Sequence, residues 1–156
     1  MTAQEYLSQG YRLEEYIACD MQRLEEARDF ARSIPSPRAD GNRVSTSLAG
    51  EAPFVRAVER ANAMEEKIKA ELDLLLALKE QMERVISSVP GEELRLILTY
   101  RYMEHKTFPE IADSLNISRN TARARHGTAL SRLALPAHPI DIRSFRGKTV
   151  LPGPAS

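Results

Sequence analysis

The sequence predicts an all-α protein: a long antiparallel helical hairpin of coiled-coil type, a compact three-helix unit, then a disordered tail. Three observations carry this. Leu, Ala, Glu and Arg dominate a chain of 156 residues with no Trp and only 6% aromatic residues, the composition of long helices rather than sheets. Apolar residues recur at three- and four-residue steps along two extended stretches. Carboxylates are missing between Asp113 and Asp141, an interval holding four arginines, although the whole chain balances 22 basic against 22 acidic residues.

At the amino end, Thr2 with Glu5 three residues on forms a capping box, so a helix starts at once. Tyr6, Leu13, Ile17, Leu24 and Ala31 then recur near every 3.5 residues, with Met21 and Ala27 alongside. The helix should stop near Ser33, because "SIPSPRADGNRVSTSLAG" is rich in turn formers and makes a linker. A second helix is expected from about Pro53 to Val89. Its seam steps through Phe54, Val58, Ala61, Glu65, Ile68, Leu72, Leu75, Lys79, Met82, Ile86 and Val89. Glu65 and Lys79 interrupt it, either setting register or lying exposed near an end. Two such helices joined by one loop fold back on each other. "ELDLLLALK" is apolar on more than one face, so a further surface, such as a second copy of the chain, should cover the excess. The division expected is 1–89 for the hairpin, serving oligomerisation or partner binding, 90–135 for the three-helix unit, and 136–156 for a basic, proline-rich, disordered tail.

Pro90-Gly91 ends the long period. The first short helix spans about Glu92 to Met103 and buries Leu94, Ile97, Leu98 and Tyr102. Thr107 caps the second, Glu110 answers three residues later, and Pro109 sits in the first turn where its missing N–H costs nothing. Ile111, Ala112 and Leu115 face inward. Asn116 suits a left-handed turn, Ile117 plugs the corner, and Ser118 caps the third helix. A small residue at 112, Asn four later and a capped helix give the spacing of a helix-turn-helix.

Projected at 100° per residue, the third helix turns Ala122, His126, Ala129, Leu130 and Leu133 inward. Asn120, Thr121, Ala124, Thr128 and Ser131 lie opposite. Arg119 stands at the amino end, with Arg123 and Arg125 on the two borders. Small polar residues between arginines let a helix lie deep in a major groove, with arginines reaching phosphates or guanine edges and Asn120 suited to adenine. A carboxylate there would repel the nucleic-acid backbone, which accounts for the acid-free interval. From Ser118 to Lys148 seven basic residues face one Asp, a net of +6 that leaves −6 on the remainder. The candidate DNA-binding residues are Ser118, Arg119, Asn120, Thr121, Arg123, Ala124, Arg125 and Thr128.

"RYMEHKTFPEIADSLNISRNTARARHGTALSRL" (Arg101 to Leu133) resembles region 4 of bacterial sigma factors, in its R-Y start, its "T-x-x-E-I-A" helix, its "L-x-I-S-R" turn and its closing "A-L-x-x-L". The long hairpin ahead of it is similar to the layout of small phage and prophage transcription regulators, including ArpU- and RinA-like late-gene activators. The resemblance implies that Ser118, Arg119, Asn120, Thr121 and Arg123 contact promoter DNA near the −35 element. Arg125 stands where that family carries a bulky apolar residue, and Ala122 is smaller than the usual Ile or Val. Nothing in the chain resembles the sigma region that melts the −10 element.

The leading expectation is therefore a sequence-specific transcription regulator, phage-derived and acting with or without contact to RNA polymerase. Its partner is double-stranded DNA, and it dimerises through the hairpin. Two alternatives stand beside it: a small terminase-like subunit that recognises phage DNA for packaging, and a sigma-like polymerase-binding protein that does not read bases. No catalytic residue, metal site or cofactor is expected. His105, His126 and His138 have no matched ligands at metal spacing, no glycine-rich phosphate loop occurs, and His105 is expected to be solvated in its turn. The lone Cys19 excludes an internal disulfide, fits a reducing compartment, and suggests a small buried hydrophobe. The amino terminus lacks a signal-peptide layout, and the longest apolar run is too short to span a bilayer, so a cytoplasmic protein is expected.

Overall fold

The computed structural model describes residues 1–34 and 44–148, the side chains of 44–51 and 146–148 excepted. Among the described residues all regular structure is helical: α1 (Ala3–Ser33), α2 (Val44–Ser87), α3 (Glu92–Leu98), a π-helical segment (Thr99–Met103), α4 (Phe108–Leu115), α5 (Arg119–Arg132) and α6 (Ile142–Lys148). Two compact units result, Met1–Glu14 with Asp73–Ser156, and Glu15–Leu72. Both long helices run on through the two units.

The capping box at the start of α1 is complete. Thr2 N–H donates to Glu5 Oε2 (2.8 Å) and Glu5 N–H to Thr2 Oγ1 (3.1 Å). The expected end at Ser33 is the observed one. α2, in contrast, begins at Val44, so Pro53 lies inside it and residues 44–50 of the expected linker are helical. Residues 35–43 lie outside the described residues.

Within Glu15–Leu72 the long helices pack through Leu24, Ala61 and Ile68, with Ala27 and Met64 against them. Only half of the expected seam is followed. In α2 and the turn after it, Ala61, Ile68, Met82 and Val89 are buried as expected, but their complement is Ala57, Glu71, Leu78 and Val85, one residue before the predicted Val58, Leu72, Lys79 and Ile86. Of those four only Ile86 is buried as well. In α1, Asp20 takes the inward place expected of Met21, which is 54% exposed. An acidic residue therefore enters the seam on each helix. Lys67 compensates, its ammonium 3.2 Å from Asp20 Oδ2 and 3.9 Å from Glu71 Oε1. Apolar counting alone could not find this register, because two helices bury carboxylates only when a cation reaches both. The same rotation turns Cys19 outward, so it is exposed rather than buried.

In the other unit, the first turns of α1 meet the end of α2. Tyr6 donates to Gln81 Oε1 (2.8 Å), and the Met82 side chain packs beside Gly10. Lys79 is not a seam residue but pairs with Glu14 at 2.5 Å. Gly91, at φ 105°, makes the turn out of α2 that an L side chain would strain, and caps α3. Ile97, Ile111, Ala112 and Ala122 form the core beneath α3, α4 and α5, joined by Tyr100, Phe108, Leu115 and Ile117. Fully burying Ile111 alone contributes about 2–3 kcal/mol.

His105 is only partly solvated. It occupies a left-handed backbone position (φ 56°), its Nε2 lies 2.6 Å from Glu14 Oε2, and its ring meets Tyr11 edge-on at 5.4 Å. Residues 138–142, assigned by composition to the disordered tail, are held by hydrogen bonds. The Gln9 amide donates to Ile140 O (2.9 Å) and accepts from Ile142 N–H (2.9 Å), and Gln81 donates to His138 O (3.0 Å) while accepting from Ile140 N–H (3.0 Å). Two glutamine side chains thus bond four backbone groups between His138 and Ile142, where the chain enters α6. Residues 149–156 of that tail lie outside the described residues.

His126, buried on α5, sits 2.7 Å from Tyr102 Oη and is stacked on the Tyr102 ring. Burial, with the nearby Arg101 charge, holds its imidazole below the ordinary value of 6.5. The unfolded chain therefore binds this proton more readily than the folded one. Its stabilising effect is complete above pH 6.5 and is lost as pH falls toward the lower folded value. Chemical denaturation between pH 7.5 and 5.5 should show stability falling with acid in the wild type and a flatter profile in His126→Gln. Parallel profiles would contradict this.

Candidate nucleic-acid interface

α4 and α5 are set by three local features. The Thr107 hydroxyl accepts from Glu110 N–H (3.3 Å), and Pro109 occupies the first turn of α4. Asn116 closes α4 in the left-handed conformation (φ 55°, ψ 48°), and Ile117 N–H reaches back to Ala112 O at 3.0 Å. Ser118 then caps α5 by accepting from Thr121 N–H at 3.1 Å. Buried Ala112 and Ala122 sit in the same core cluster, and their lack of bulk lets the two helices cross closely. The result is a helix-turn-helix, with α5, at 14 residues about 21 Å long, presented on its surface.

One side of α5 is open. Arg119, Asn120, Arg123, Ala124, Gly127, Thr128, Ser131 and Arg132 are exposed, while Ala122, His126 and Ala129 face the core. The open residues repeat at one- and three-residue steps, a continuous stripe along the helix. Its first turn carries no acid, so nothing offsets the positive end of the helix dipole. Among the described residues neither Arg119 nor Arg123 has an ion-pair partner, and the Arg123 guanidinium stands 5.7 Å from the Phe108 ring centre. Arg101 packs closer on the same ring, at 4.5 Å, so Phe108 holds two cations at the edge of the unit.

The structure thus brings six of the eight candidate residues to one surface: Ser118, Arg119, Asn120, Arg123, Ala124 and Thr128 are all exposed. Thr121 is half-buried, its hydroxyl 2.7 Å from that of Ser118. Arg125 lies on the flank, with its guanidinium bonded to Glu93 of α3. Gly127 and Arg132 belong to the stripe though the sequence reading did not single them out; the same 100° projection contains them. A Cβ at Gly127 would meet nothing within 4 Å.

Residues 86–134 match the family model Sigma-70, region 4. The match runs from the end of α2 to just beyond α5 and leaves the rest of the chain uncovered. No curated protein and no solved structure gives a match to the chain. The match marks a region-4-like helix-turn-helix and suggests that this part of the chain binds DNA. Its open stripe and the absence of carboxylates on α5 itself are the arrangement such a unit needs to approach phosphates. Among the described residues no helix is long and apolar enough to cross a membrane, and no cluster of three or more His, Cys, Asp or Glu is placed to hold a metal ion.

Arg125 and Glu93 are each about two-fifths exposed, so their pair is worth less than about 1 kcal/mol. In thermal melts, Arg125→Ala and Glu93→Gln should each lower the melting temperature slightly and the double variant no further than either. Arg119→Ala should leave it unchanged. Additive losses would show that the two side chains do not act as a pair.

Proposed function

We propose that the protein is a sequence-specific regulator of transcription whose α5 enters the major groove of duplex DNA. The observation carrying this is the exposed, acid-free stripe from Arg119 to Ser131, on a helix whose opposite side is locked into the region-4 core. Arg119 and Arg123 contact phosphates or guanine edges, Asn120 reads an adenine, and the small Ala124 and Thr128 allow the helix axis to come close to the bases. Ser118 and Thr121 contribute hydroxyls at the helix entry. Arg125 reaches phosphate from the flank, where Glu93 sets its direction.

α2 leaves Leu72 and Leu76 exposed one turn apart, and a second copy of the chain covering them makes a dimer on paired half-sites. The layout resembles that of phage late-gene regulators, so the reading extends to a promoter-bound protein of that kind. The region-4 character also supports contact with RNA polymerase.

Titration of labelled duplex, chosen by selection from a random pool, tests the reading. Arg119→Ala and Arg123→Ala should each weaken binding and reduce the slope of log affinity against log salt by about one unit. Asn120→Ala should alter base preference with little change in slope. A wild-type protein indifferent to every duplex at low salt would instead favour a polymerase-docking module that reads no bases.

A further inference from the structure

The unit Glu15–Leu72 carries a second feature, unrelated to α5. Between α1 and α2 lies a groove of about 640 Å³. Its apolar lining is Ala27, Phe30, Pro53 and Ala57, and Phe30 is 61% exposed. Around it stand Arg23, Arg56 and Arg60, with Glu26 engaged by Gln22 at 3.3 Å.

The charge pairing of this unit is selective. Among the described residues Arg28 pairs with Glu65, Arg32 with Asp29, Lys67 with Asp20, and Lys69 with Glu66. Among the described residues, the basic ones of the unit with no ion-pair partner are Arg23, Arg56 and Arg60, and all three line the groove. Cations left unneutralised in an otherwise acidic hairpin, gathered around exposed apolar surface, are complementary to an apolar segment bearing carboxylates.

The groove's shape narrows the occupant further. Its lining residues fall at 23, 26, 27 and 30 on one helix and at 53, 56, 57 and 60 on the other, two turns of each. A channel about 10 Å long between two packed helices is the seat of a third helix, whose side chains enter as knobs. The chain's own undescribed stretches do not supply one: residues 35–43 hold two Arg against one Asp, and 149–156 hold no carboxylate side chain. We propose that this groove docks an acidic amphipathic helix of a partner protein, placing a protein-recognition site on the hairpin separate from the DNA-reading helix.

The test uses the full chain and a fluorescein-labelled, hydrocarbon-stapled helix of about 14 residues, with leucines on one face flanked by glutamates, and a second peptide with lysines replacing the glutamates. In fluorescence anisotropy the glutamate peptide should bind the wild type and the lysine peptide should not. Arg56→Glu/Arg60→Glu should weaken the glutamate peptide about tenfold and admit the lysine peptide. Phe30→Ala should weaken the glutamate peptide with the melting temperature unchanged. Equal binding of both peptides, or of neither, overturns the proposal. So does a double variant that loses duplex DNA, phosphatidylglycerol vesicles or its own oligomeric state while keeping the peptide, since the groove would then serve nucleic acid, lipid or a second copy. DNA binding by the wild type is read separately and bears only on the region-4 unit.

Discussion

The close crossing of α4 and α5 is the constraint on which the rest depends. It exists because positions 112 and 122 are alanines buried in one cluster with Ile97 and Ile111, and because Asn116 takes a left-handed conformation between them. Larger side chains at either position would push the helices apart. With Ala122, His126 and Ala129 committed to this contact, the helical period leaves Arg119, Asn120, Arg123, Ala124, Gly127, Thr128 and Ser131 with no internal partner surface. The open side of α5 follows from how its other side is used.

The region-4-like unit is also tied to α1. Glu14 of α1 reaches both Lys79 and His105, so the turn before α4 is tied to the long helices through one carboxylate. Gln9 and Gln81 hold residues 138–142 through backbone hydrogen bonds. Hydrogen bonds of this kind contribute about 1 kcal/mol each when formed, and leaving the buried Ile142 N–H unmet would cost more.

The helix-turn-helix was legible residue by residue, because its signals are local. Thr107, Pro109, Asn116 and Ser118 act on the backbone within three or four residues, and each does in the structure what its chemistry implies. The long helices were legible as elements but only half so in register. One series of seam positions followed apolar spacing, while its partner series was displaced by one residue because Lys67 permits Asp20 and Glu71 to turn inward. That compensation spans 47 positions between Asp20 and Lys67 and leaves no periodic trace. The order in residues 138–142 was hidden for the same reason, since it depends on glutamines more than fifty residues away. Arg125 was placed on the correct border of α5, but its bond to Glu93 needed the packing of α3 to be seen. Local chemistry shows in a sequence; pairings made across the fold do not.

The central claim is that the side of α5 opposite Ala122 and Ala129 is the surface that meets duplex DNA. Amide chemical-shift mapping of isotopically labelled protein against a selected duplex tests it most directly. The account predicts that the largest changes fall at Arg119, Asn120, Arg123, Ala124, Gly127 and Thr128, with Ala122 and Ala129 changing little. Changes confined to the long helices, or none on α5 at saturating duplex, would contradict it.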